Sequence, residues 1–170
     1  LPGFCVSGIR EELNKMAELN IGTPAPEFAL TDQNGETVRL ADFKGKQPVV
    51  LIFYPADETP GCTKQLCAAR DDTSLYQQAG VAVFGVNPGS AASHEKFIKK
   101  HNLTTPLLVD KGLEVAANYQ ATIGFGPLKI VNRTVVGIDR DGKIAFYRRG
   151  IPATTEILAA LAAKPEQVKH

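Results

Sequence analysis

The residue with the most chemistry open to it is a cysteine at the start of a predicted helix. The segment Phe53-Tyr54-Pro55-Ala56-Asp57-Glu58-Thr59-Pro60-Gly61-Cys62-Thr63-Lys64-Gln65-Leu66-Cys67 leaves an apolar run and crosses a loop containing prolines and a glycine. It enters a helical stretch at Cys62. A helix start presents unpaired backbone N–H groups and the positive end of the helix dipole. Both favour the thiolate, the nucleophilic form of the side chain. The competing reading is a buried, inert thiol, the commoner fate of cysteine; the strand-to-helix junction argues against it. With Cys5 and Cys67 the chain holds three cysteines, which is odd in number and too few for a disulfide scaffold. Reduced thiols in a cytosol-like compartment are therefore expected, with Cys5 a free thiol near the N-terminus. His94 and His101 do not share metal-ligand spacing with the cysteines, so no metal site is expected, and both are placed on an exposed helix face.

Several elements must position that loop. Phe28–Leu30 and Thr37–Leu40 flank Asp32-Gln33-Asn34-Gly35, a hairpin cue. Val49–Tyr54 is a continuous apolar run, as for a central strand buried on both faces. A helix follows over Cys62–Gln78, closed by Gly80, then a strand over Val81–Val86. Ser90 or Ser93 caps a helix reaching His101; Leu107–Val109 is a short strand and Leu113–Tyr119 a short helix. Val135–Asp139 and Ile144–Arg148 flank a second turn, Arg140-Asp141-Gly142-Lys143, before a terminal helix over Thr155–Ala163. The order βαβα then ββα predicts a thioredoxin-like α/β sandwich, a mixed central sheet with helices on both faces and an N-terminal β-hairpin. Residues 1–20, including a possible helix over 8–19, read as an N-terminal extension, and residues 21–170 as one domain.

The 170-residue length suits one domain with a real core. Hydrophobic residues make up 44% and charged residues 22%, an ordinary globular composition. Lys plus Arg number 19 against 18 for Asp plus Glu, so no charge excess draws the chain to nucleic acid or an anionic membrane. No apolar stretch reaches the roughly 18 residues a membrane helix needs.

Pro55, Thr59 and Cys62 spell P-x-x-x-T-x-x-C, and this run resembles the active-site motif of peroxiredoxins. The longer Tyr-Pro-x-Asp-x-Thr-Pro-Gly-Cys-Thr, with a second cysteine five residues on, resembles the peroxiredoxin Q group, also called bacterioferritin comigratory proteins. The likeness covers about residues 21–163. It includes Ser93-His94 to Lys99, Pro106-Leu107-Leu108-Val109-Asp110 and Asn132-Arg133-Thr134. Two departures lie at Asn87-Pro88, where relatives commonly carry a Ser-x-Asp-like turn, and at Ala69, where an aromatic is frequent.

The resemblance implies that Cys62 is the peroxidatic cysteine, Cys67 the resolving cysteine, and Arg133 the arginine that contacts thiolate and peroxide. It implies a thiol-dependent peroxidase acting on hydrogen peroxide and organic hydroperoxides without metal, haem or flavin. A disulfide formed within the chain would be reopened by thioredoxin or a glutaredoxin-like dithiol donor. A monomer is expected, in the cytosol or alternatively in a plastid. An unperturbed thiol, with pKa about 8.5, is about 3% thiolate at pH 7, so full ionisation gains only about 30-fold in rate. The rest must come from donors fixed around both peroxide oxygens in the transition state. The Thr59 hydroxyl, the Arg133 guanidinium and the backbone N–H groups of Gly61 and Cys62 are the candidates, with Pro55 shielding the sulfenic acid.

Thr59 could instead simply cap the helix, Arg133 could be a surface residue, Pro55 could merely end a strand and Cys67 could be a packed core thiol. Arg70 is expected to pair with nearby carboxylates. Residues five apart in an α-helix have Cα atoms about 8.5 Å apart, beyond the roughly 7 Å a disulfide tolerates. Cys62 and Cys67 could then join only if the first turns unwind. Two other functions compete with a peroxidase. A thiol–disulfide oxidoreductase would want Cys-x-x-Cys, and a non-enzymatic binding protein would not need Cys62.

Overall fold

A computed structural model describes residues 19–163. The helix expected over 8–19 (apart from Leu19) and Cys5 lie outside the described residues. The core strand is β3 (Val49–Phe53), buried at all five positions. Strand side chains alternate between faces, so Val49, Leu51 and Phe53 enter one apolar layer while Val50 and Ile52 enter the other. The first layer is closed by α4 (Glu114–Asn118) and by an N-terminal hairpin, β1 (Ala29–Thr31) with β2 (Thr37–Arg39), through Val115, Ala116, Phe28 and Leu40. The second is closed by α1 (Pro60–Asp71), α3 (Ala91–His101) and α5 (Thr154–Ala162), through Leu66, Phe97, Ile157 and Leu161. Helices therefore cover both faces.

The main sheet runs β5 (Leu107–Val109), β4 (Ala82–Asn87), β3, β8 (Thr134–Ile138), β9 (Ile144–Arg149). β4 and β5 lie parallel to their neighbours on the β3 side; β3–β8 and β8–β9 are antiparallel. The register sets Phe53 opposite both Val86 and Thr134. The last residue of β3 thus lies beside the end of β4 and the beginning of β8. The loop after β3, Asn87 and Arg133 are delivered to one edge of the sheet.

Local chemistry explains where the elements begin and end. Pro60 takes the first helical position of α1, where a missing N–H costs nothing. The single helix expected to Gln78 is two: α1 stops at Asp71 and α2 spans Thr73–Gln78. The Thr73 hydroxyl donates to the Arg70 carbonyl at 2.7 Å and meets Thr104 Oγ1 at 2.6 Å, competing with the backbone pattern at the break. Ser90, rather than Ser93, caps α3: its hydroxyl accepts from the Ser93 N–H at 3.1 Å, and Asn102 ends the helix at φ 51°. The turn between β8 and β9 is held by Asp139, whose carboxylate accepts from the N–H groups of Asp141 and Lys143. A small hairpin, β6 (Thr122–Ile123) with β7 (Ile130–Val131), was not expected: two-residue strands are too short to show a period. Among the described residues, no helix is long and apolar enough to cross a membrane.

Candidate active site

Cys62 sits in the first turn of α1 and is 0% exposed. Arg133, from the two-residue link between β7 and β8, donates through Nη2 to Cys62 Sγ at 3.1 Å. Its other terminal nitrogen, Nη1, donates to Gln65 Oε1 at 2.6 Å. Gln65 lies one turn along α1 from Cys62, so helical periodicity puts both on one face. Only 4% exposed, Gln65 also donates to the Gly150 carbonyl at 3.5 Å, while the Gly150 N–H donates to the Arg133 carbonyl at 2.9 Å. The planar guanidinium fork thereby spans the sulfur and an amide whose orientation is set by the end of β9. Gln65 was missed at the sequence level; its spacing of three from Cys62 was the available signal.

The remaining expected residues gather around this contact to different degrees. Gly61 is pressed against the fork: a Cβ there would lie 3.2 Å from Arg133 Nη2. Thr59 is half-buried at the N-cap position, but its hydroxyl makes no capping bond and donates to the Ala56 carbonyl at 3.3 Å. Capping by the side chain, the alternative use for this threonine, is not what it does. Pro55 is exposed on the loop leaving β3. Cys67 is half-buried, packs against the layer containing Cys62 and Leu66, and is a free thiol, as is Cys62. The helix between them is intact. Arg70 faces Asp71 at 3.1 Å, as expected, and also donates to the His101 carbonyl at 2.5 Å.

The loop itself is tied from within. Asp57 accepts from Tyr54 Oη at 2.7 Å, Asn87 Nδ2 at 3.0 Å and Ser93 Oγ at 2.6 Å, and meets His94 Nδ1 at 2.7 Å. Burial pushes the Asp57 carboxyl up, but hydrogen bonds from His94, Ser93 and Tyr54, with the charge of His94, outweigh it and hold it below the ordinary carboxylate range. Burial, then the Asp57 charge, pushes the Tyr54 phenol far up, keeping it a donor. His94 is not on an exposed face, as the sequence suggested, but is 0% exposed. The sequence showed its polar type and not the buried carboxylate that partners it. Cavities of about 220 Å³, beside Tyr76 and Thr104, and about 340 Å³, beside Asp139 and Leu161, lie away from the sulfur; neither is bordered by Cys62, Thr59 or Arg133.

A guanidinium on the sulfur of a cysteine in the first turn of a helix is an arrangement for nucleophilic attack with charge stabilisation close by. Residues 21–147 match the AhpC/TSA family. The chain belongs to that family. Within it, the chain falls in the peroxiredoxin Q and bacterioferritin comigratory protein group. It is 47% identical over 126 residues to chloroplastic peroxiredoxin Q of Triticum aestivum, covering 74% of this chain and 57% of that protein. It is 41% identical over 131 residues to a putative peroxiredoxin bcp of Coxiella burnetii, covering 75% of this chain and 86% of that protein. The matched region thus spans little more than half the length of the wheat relative. Among solved structures, peroxidoxin BcpB of Mycobacterium tuberculosis superposes with a TM-score of 0.78 at 31% identity, covering 86% of this peroxiredoxin and 98% of that chain.

Proposed function

We propose that this peroxiredoxin is a thiol-dependent peroxidase in which Cys62 reduces hydroperoxides. The reading is carried by the 3.1 Å contact between Arg133 Nη2 and Cys62 Sγ in the first turn of α1. The sulfur attacks the terminal peroxide oxygen as the thiolate. The O–O bond breaks, the departing oxygen leaves as alkoxide or hydroxide and takes up a proton, and Cys62 becomes a sulfenic acid. Arg133, the Thr59 hydroxyl and the N–H groups of Gly61 and Cys62 stabilise charge spread over both oxygens. Pro55 borders the loop and limits entry of water to the sulfenic acid.

Cys67 is the resolving residue: its thiol attacks the Cys62 sulfur, water leaves, and an intramolecular disulfide forms. The intact helix keeps the two Cα atoms about 8.5 Å apart, so the N-terminal turns of α1 unwind first. A dithiol donor, thioredoxin or a glutaredoxin-like protein, then reopens the disulfide and is itself oxidised. Because both sulfurs belong to one chain, the cycle needs no second subunit, and a monomer is the working form. The plastid rather than the cytosol is supported by the wheat relative, which is named chloroplastic.

Peroxide consumption with thioredoxin and its reductase tests this. Cys62→Ser gives no turnover. Cys67→Ser consumes about one equivalent of peroxide and stalls, because the sulfenic acid has no internal partner. Equal multiple turnover by the wild type and both variants excludes the assignment.

A further inference from the structure

We propose that Asp57 and His94 form a buried ion pair that positions the loop carrying Cys62 for reaction with peroxide. The inference rests on Cys62 being the peroxide-reactive residue and assigns a role to two groups outside its contact sphere.

The protonation follows from geometry. His94 Nδ1 lies 2.7 Å from Asp57 Oδ2, and Nε2 lies 3.1 Å from the Leu108 carbonyl on β5. Both partners are acceptors, so a neutral ring would turn an unprotonated nitrogen onto a lone pair. The imidazolium donates at both ends. Asp57 as a carboxylate accepts at both oxygens: from Tyr54 and Asn87 on Oδ1, and from Ser93 and His94 on Oδ2. Their side chains are 5% and 0% exposed, so water does not screen the pair. Gly89 packs directly on it, since a Cβ there would come within 3.1 Å of Asp57 Oδ2 and 3.2 Å of His94 Cε1. Among the described residues, the titratable neighbour that bonds to the pair is Tyr54, just after β3, which donates to Asp57 Oδ1 and in turn lies near Cys62 of α1. Glu58 in the loop is itself paired with Lys100 Nζ of α3 at 3.6 Å.

The pair acts on the loop's shape. Asp57 is pinned to three elements at once: the end of β3 through Tyr54, the end of β4 through Asn87, and α3 through Ser93 and His94. The next residue, Glu58, is held at φ 61°, a left-handed conformation that a residue with a Cβ adopts only when its surroundings impose it. Thr59 then bonds back to Ala56, and Pro60 opens α1. Loss of the ion pair loosens Asp57 and the backbone that bends through Glu58, leaving the surface contact of Glu58 with Lys100 to hold it. The start of α1, with Thr59, Gly61 and Cys62, would then shift against Arg133.

The experiment has two arms. In the wild-type protein at pH 7, nitrogen-15 spectra should show both ring nitrogens of His94 carrying protons, with the assignment made by loss of those signals in His94→Gln. In stopped-flow oxidation, Asp57→Asn and His94→Gln should lower the rate of peroxide attack by about 10- to 100-fold, as displacement of a reacting group does. Alkylation of Cys62 by iodoacetamide should fall far less, because it needs the thiolate but no donors fixed around two peroxide oxygens. A ring with one bare nitrogen overturns the proposal. So do peroxide rates within about twofold of wild type, or equal falls in oxidation and alkylation. Should a variant fail to fold, the wild-type ring spectrum decides alone. A wild-type protein whose Cys62 does not react with peroxide refutes the proposed function itself, whatever the state of the ring.

Discussion

Arg133 has two tasks that a single-point cation cannot share. Its fork reaches Cys62 Sγ and Gln65 Oε1 together, at 3.1 and 2.6 Å. Arg133→Lys keeps the charge but loses one of the two contacts, and the second-order rate of peroxide oxidation should fall by about 100-fold, the usual loss for a positioned donor in a transition state. Gln65→Leu leaves the fork without its amide and should lower the same rate by a smaller factor, with the helical circular-dichroism signal retained. Gly61→Ala brings a methyl group to 3.2 Å from Nη2, so it too should slow oxidation by pushing the guanidinium off the sulfur. The signs are checked in one stopped-flow series. Cys62 and the glycine before it stood out in the chain because their neighbours spell a motif. Gln65 did not, because a glutamine in a helix has no chemistry until an arginine 68 positions away is folded onto it.

At the scale of elements, α1 is anchored unevenly. Its C-terminal end is fixed by Arg70 on the His101 carbonyl, by Thr73 against Thr104 and by Thr154 donating to Asp72 at 2.6 Å. Its N-terminal end has Arg133 as its side-chain tie to another strand, apart from Gln65 on Gly150. If disulfide formation unwinds the helix, amide exchange should rise over residues 61–68 on oxidation and stay unchanged over 72–78. Equal exchange in both redox states would remove the unwinding step. The loop preceding α1 depends on a carboxylate, which makes its contribution pH-dependent. Asp57 titrates below its ordinary value of 3.8, so its stabilisation is complete above that pH and is lost as pH falls through the lowered folded-state value. Urea unfolding should show the wild type more stable than Asp57→Asn at pH 7, with the gap closing on acidification below about pH 4.

For the whole molecule, the site and the core share walls. Gly85 in β4 lies where a Cβ would meet Leu107 Cδ2 at 2.6 Å and the Tyr54 ring at 3.0 Å. Gly85→Ala should therefore destabilise the fold by about 1–3 kcal/mol, read from the denaturation midpoint, and disturb the Tyr54–Asp57 bond as well. The strand cores, the helix that Ser90 caps and the helix start at Cys62 were legible along the chain. Apolar runs, cap residues and a helix start are local signals, set by neighbours within a turn or a hairpin. Several features were not legible, the β6–β7 hairpin and Gln65 among them. The helix break at Asp72 needs Thr104, and the burial of His94 needs Asp57; each partner lies about 30 residues or more away in sequence. Side-chain type and spacing thus pointed to Cys62 and to the scaffold beneath it. Which groups face Cys62 depended on the sheet register that brings the ends of β3 and β4 and the start of β8 to one edge. Hydrogen bonds and ion pairs act over a few ångströms, and the linear order of residues does not carry that proximity.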